Sequence, residues 1–96
     1  MTGIVWGSTQ QIANQKLEEI RNVYLFYDNW SLIKVKKDYF ETQNGDVWRA
    51  LAANEMQRGY KCNISYIDTR ISQEIVETII YPSTIATPYQ AYYYYN

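Results

Sequence analysis

Three arginines, Arg49, Arg58 and Arg70, together with Asn63 and 11 tyrosines, are the side chains of this 96-residue sequence best suited to recognition chemistry. A guanidinium is a planar fork of donors that matches a phosphate or carboxylate, and an aromatic ring stacks on a base. Together they suit a small anion of the nucleotide type. Their spacing does not define a site, because Arg58 also has an ordinary helical partner in Glu55. Trp30 with Lys34 and Lys36 has the make-up of a stacking platform for single-stranded nucleic acid. Lysines that keep an edge strand from joining a second sheet look the same.

Covalent and acid–base chemistry have less to work with. Cys62 is the one thiol. A nucleophilic thiol needs its pKa lowered, usually by a histidine or a helix N-terminus, and Cys62 falls on the apolar side of an alternating segment, a place for packing. Glu74 and Glu77 form a carboxylate pair, yet on an amphipathic helix such a pair is normally a solvated face. The sequence has no histidine, and its four glycines are isolated at positions 3, 7, 45 and 59. The commonest general base and metal ligand is therefore missing, as is any glycine-rich phosphate loop. These features predict no catalysis, no metal and no cofactor. Nine Lys and Arg against ten Asp and Glu give a net charge of −1. That balance argues against a dedicated nucleic-acid binder and leaves little self-repulsion between copies.

The elements that must position these residues follow from periodicity. A capping-box pattern at Ser8 and Gln11, then Ile12, Ala13, Leu17 and Ile20, predicts a helix over residues 9–21. The next stretch, VYLFYDNWSLIKV, reads as a hairpin turning at Asp28-Asn29, with two apolar faces that both need a cover. Residues 39–42 suggest another strand. After Asn44-Gly45 two readings compete. One is a helix capped by Asp46 and ended by Gly59; the other is a hairpin of residues 39–43 with 46–50. The run of Ala, Leu, Glu, Met and Gln favours the helix. Tyr60, Cys62, Ile64 and Tyr66 alternate with polar residues as a strand does. Asp68, Thr69 or Ser72 then caps a last helix, with Ile71, Ile75 and Ile79 in one row, Val76 and Ile80 in the next, and Pro82 as its stop.

The fold expected is α+β: a small antiparallel sheet of three to four strands with three helices, in the order α-β-β-(β)-α-β-α. Residues 1–81 form the single domain, and 82–96 form a tyrosine-rich C-terminal arm. Residues 78–96 carry no charge and hold six of the tyrosines. Tyrosine offers large contact area at low entropic cost, so Tyr89, Tyr92, Tyr93 and Tyr94 are candidate partner contacts. Burying each ring is worth roughly 1.5–3 kcal/mol, while ordering the backbone costs about 1–2 kcal/mol per residue. A free arm is marginal, and a partner subunit offering a groove or strand edge would hold it.

The functional expectation is a non-enzymatic binding protein. It acts stoichiometrically on a protein partner or as a subunit of a homo-oligomer, a dimer or a multiple of one. Virus-encoded inhibitors of host defence are one class with this profile. The alternative is an oligomer that sequesters a nucleotide-type anion through Trp30, Arg49, Arg58, Asn63, Arg70 and the tyrosines. No membrane-length apolar run and no basic leader are visible, so an intracellular, cytoplasmic location is expected.

Overall fold

The computed structural model describes residues 1–26, 31–85 and 90–96. Strand β1 (Thr2–Gly7) leads into helix α1 (Gln10–Phe26). Strands β2 (Leu32–Lys36), β3 (Tyr39–Thr42) and β4 (Val47–Ala52) follow, then a single 3-10 turn at Glu55–Gln57. Strand β5 (Ile64–Asp68), helix α2 (residues 73–83) and strand β6 (Ala91–Tyr95) complete the chain. Among the described residues the strands form one six-stranded sheet in the order β2-β3-β4-β1-β5-β6. It is mixed. β1 runs parallel to β4 and β5, and β6 runs parallel to β5, whereas β2-β3-β4 is an antiparallel meander. The protein is α+β, and the described residues form two helices where three were expected and six strands where three or four were expected.

β1 occupies the middle of the sheet, and sequence reading missed it. Its residues are buried on both faces: Ile4 and Trp6 join the core under α2, and Val5 joins the core under α1. A central parallel strand has no polar face, so it shows no alternation to read. Gly3 serves packing across this strand. A Cβ there would meet the Trp48 ring at 2.4 Å, so the missing side chain lets that ring lie over β1.

The helix expected over 46–58 is β4 followed by the 3-10 turn. The hairpin reading of Asn44-Gly45 is the one the structure adopts. Gly45 sits at φ +91° and donates its N–H to the Thr42 carbonyl at 3.1 Å. Trp48 and Ala50 then face α1 while Leu51 faces α2, and this two-sided burial overrides the helix propensity of the segment. Gly59, expected as a helix cap, supplies a φ of +96° just after the 3-10 turn.

Two boundaries moved for similar reasons. α1 continues to Phe26 rather than ending near 21, so residues 23–26 are not a strand. Its stripe of Ala13, Leu17 and Ile20 extends to Tyr24, whose ring packs edge-on against Phe40 and Trp48. The turn expected at Asp28-Asn29 and the candidates Trp30 and Tyr89 lie outside the described residues. Thr9, not Ser8, caps α1, accepting the Ile12 N–H at 3.2 Å. The strand expected over 60–66 begins only at Ile64. Cys62 makes an isolated bridge with Thr84, and the alternation breaks between them. Tyr60 and Cys62 therefore face α2, while Ile64 and Tyr66 face α1.

α2 starts where Ser72 accepts the Ile75 N–H, and it buries Val76, Ile79 and Ile80. It runs one residue past Pro82 by widening to a π-helical turn over Val76–Ile80. A proline has no N–H for the carbonyl four residues back, and its ring crowds that carbonyl. The wider turn relieves the conflict, and the Thr78 carbonyl accepts a hydrogen bond from Arg58 at 3.4 Å instead.

Candidate functional site

On the α1 side of the sheet an aromatic ladder takes its rungs from four strands. Phe40 on β3 stacks with Trp48 on β4 at 6.4 Å between ring centroids, Trp48 meets Tyr66 on β5 at 5.8 Å, and Tyr66 stacks on Tyr93 of β6 at 5.0 Å. The contact between Trp48 and Tyr66 spans β1, and the bare Cα of Gly3 makes it possible. Tyr24 donates to Asp46 at 3.4 Å and accepts the Trp48 indole N–H at 3.0 Å, which fixes the plane of the second rung. Burial of Tyr66 and the neighbouring Tyr93 push the Tyr66 phenol above its usual pKa.

The ladder ends in the open. Tyr93 is half-exposed at the outer edge of the sheet, beside a mostly apolar groove of about 250 Å³ that includes Ile20, Val23, Tyr24, Trp48 and Ile64. On the opposite face Tyr92 packs into the α2 core and edge-on against Tyr81, while Tyr94 meets the Tyr81 hydroxyl at 3.1 Å.

β6 is an edge strand without a charged residue. The Ala91 N–H donates to the Asn63 carbonyl at 3.0 Å, and the Tyr95 carbonyl accepts the Thr69 N–H at 2.9 Å. Because a parallel strand turns alternate residues toward the same neighbour, the N–H and C=O of Tyr92 and Tyr94 point outward. The arm expected to need a partner's strand edge thus finds one in its own chain, on β5, over residues 91–95.

A buried charge stands on β5 opposite the far end of β6. Asp68 is fully buried and accepts the Ser8 N–H at 2.8 Å, the Ser8 hydroxyl at 2.6 Å, the Arg70 N–H at 3.0 Å and the Arg70 Nε at 2.8 Å. Burial alone would raise its pKa, but these four donors outweigh that and hold the carboxyl well below the usual range. Beside it, burial and then the Asp68 charge push the Tyr95 phenol far above its usual value, and its hydroxyl donates to the Trp6 carbonyl at 2.9 Å.

The candidates named from sequence do not converge on one site. Arg49 lies between the rings of Tyr39 and Tyr60, at 5.1 and 5.3 Å. Arg58 holds the π-helical turn, and Arg70 holds Asp68. Asn63 is buried and accepts the Thr2 N–H at 3.1 Å, joining the starts of β1 and β5. Tyr92, Tyr93 and Tyr94 do come together on β6, on its two faces. Cys62 is buried against Ser65 and Thr84, and burial pushes its thiol up. Glu74 and Glu77 are both exposed on α2. Sequence reading missed Asp68, taken as a possible helix cap, and the ladder, whose only signal was an isolated glycine in an apolar run.

Among the described residues no cluster of three or more metal-ligating side chains occurs, and no helix is long and apolar enough to cross a membrane. No protein-family model matches the chain, and no curated protein sequence is significantly similar to it.

Proposed function

We propose that the protein is a non-enzymatic assembly subunit whose β6 edge pairs with β6 of a second copy. The observation that carries this reading is an aromatic ladder ending half-exposed on an uncharged sheet edge. An edge of this kind is a ready template for strand addition. The two strands meet antiparallel about a twofold axis through Tyr93. Tyr92 and Tyr94 then exchange backbone hydrogen bonds with Tyr94 and Tyr92 of the second copy, four bonds in all by this register. The two Tyr93 rings lie side by side and extend the ladder into the second sheet. An antiparallel pair of identical strands satisfies the self-complementarity that a twofold interface requires.

Removing two buried rings, one from each copy, forfeits at least about 3 kcal/mol, which is roughly a hundredfold in the association constant. Replacing Tyr93 with Lys also sets like charges opposite one another. Sedimentation of Tyr93→Lys against Tyr93→Phe tests the reading. The lysine variant sediments as a monomer and the phenylalanine variant as a dimer. Equal masses for the two variants would refute pairing through this edge.

A further inference from the structure

The core under α2 reaches no further than Leu51 of β4. Beyond it, on the same face of the sheet, no helix among the described residues covers β2, β3 and the start of β4. The strand register places Lys36, Tyr39 and Arg49 in one cross-strand row on this bare shelf, with Lys34 and Glu41 paired in the next. An open groove of about 380 Å³ lies there, lined by Lys34, Lys36, Asp38, Tyr39, Arg49 and Tyr60. Its charges are unbalanced. Among the described residues Lys34, Lys36 and Arg49 form no ion pair. Of the two nearby carboxylates, Glu41 is engaged by the Tyr39 hydroxyl, a bond that raises the Tyr39 pKa and keeps the phenol neutral. Asp38 and Glu41 are two carboxylates against the three cations, an excess of one positive side chain among the described residues.

The arrangement also orients those cations. The Arg49 guanidinium stands between two tyrosine rings, and the Lys34 ammonium lies 5.7 Å from the Tyr39 centroid. A guanidinium held by rings at its flanks presents its donors in a fixed direction at reduced entropic cost. Lys34 and Lys36 on β2, across β3 from Arg49, add point charges of the kind that neutralise phosphate.

We infer that this shelf is an anion site for a nucleoside polyphosphate, with the phosphates between Arg49, Lys34 and Lys36 and the base against the tyrosine rims. The inference stands apart from the β6 pairing. The shelf lies at the opposite edge of the sheet, so strand addition at β6 leaves it open in both copies.

Titration of the full chain with ATP at low salt and without divalent metal, followed by amide NMR, tests it. The expected result is saturable binding with shifts centred on residues 34–39, 49 and 60. Adenosine and inorganic triphosphate should each bind at least about tenfold more weakly, a difference of about 1.4 kcal/mol per lost set of contacts. Arg49→Gln, and separately Lys34→Gln with Lys36→Gln, should each weaken ATP at least about tenfold. Arg21→Gln, the same charge change on α1, should leave binding within about twofold. The exposed lysines can be changed without touching the core, so the double variant decides the matter if Arg49→Gln unfolds. Failure to saturate by about 5 mM ATP, beyond the affinity worth about 4 kcal/mol, overturns the inference. So does equal weakening by Arg21→Gln. Triphosphate as tight as ATP removes the base from the site. Tighter binding of a short oligothymidylate would reassign the shelf to single-stranded nucleic acid and equally overturn it.

Discussion

The two edges of this sheet are built on opposite principles. β2 carries Lys34 and Lys36, both exposed, and its pairing with β3 is irregular between Leu32 and Lys34. Charge and a broken register are devices that keep an edge from recruiting another strand. β6 has neither. Its five residues are one alanine and four tyrosines in unbroken register with β5. One sheet thus has a guarded edge and an inviting one, and the aromatic ladder runs toward the second. Net charge, which is nearly zero, could not have revealed this. The asymmetry lies in where the few charges fall.

The largest expected effect comes from the middle of the ladder. Trp48→Ala removes a buried ring that touches Phe40, Tyr24 and Tyr66, and should cost about 3–5 kcal/mol in chemical denaturation. A loss under about 1 kcal/mol would mean the rungs are independent and Tyr93 owes its position to the strand alone.

Next comes the edge itself. Tyr93→Lys gives β6 the kind of protection β2 already has, and association should fall by roughly a hundredfold, about 3 kcal/mol. The folded monomer should change little, because Tyr93 is half-exposed.

A third test uses pH to separate the two halves, since Asp68 lies on β5, next to β6, and joins Ser8 to Arg70 there. Folding depresses the Asp68 pKa. Its contribution is therefore present above the unfolded carboxyl value of about 3.9 and is lost as pH falls toward the folded one. Asp68→Asn should cost about 1.5–3 kcal/mol at neutral pH. The gap between the two proteins should close as pH drops below about 4. A gap that stays constant on acidification would show that the hydrogen bonds, and not the charge, stabilise this corner.

The smallest effect on the monomer is expected at the guarded edge. Lys34→Thr with Lys36→Thr should change stability by no more than about 0.5 kcal/mol, as exposed substitutions usually do. Light scattering should nevertheless show larger assemblies than the parent forms, because each copy would then have two open edges. Unchanged scattering would mean that the irregular register suffices to protect β2.

These features were unevenly legible in the sequence. The apolar stripe of α1, the Asn44-Gly45 turn and, in α2, Ile75 and Ile79 with Val76 and Ile80 could be read because one face of each element meets water, while Ile71, expected in the same row, precedes the helix. β1 could not, since Ile4, Val5 and Trp6 are buried on both sides and leave no period. The strand at Val47–Ala52 was masked by Ala and Leu, good helix formers placed where two neighbouring strands claim them. Val23 to Phe26 misled in the other direction, because β-favouring residues continue a helix that Tyr24 ties to Trp48. The groove or strand edge for the tail was expected on a partner subunit, whereas residues 91–95 lie on β5 of the same chain. That pairing brings together residues 64–68 and 91–95, a long-range contact with no local pattern. The ladder was hidden for the same reason: its rungs come from four strands, and its enabling residue, Gly3, has no side chain at all.

The central claim is that an uncharged tyrosine edge makes this chain self-associate. Sedimentation equilibrium of the unmodified protein over a wide concentration range tests it most directly. The account predicts a concentration-dependent rise from the chain mass of 11.4 kDa to twice that value, and no further, because the twofold pairing closes and β2 is guarded. A mass fixed at that of one chain at every concentration would contradict it.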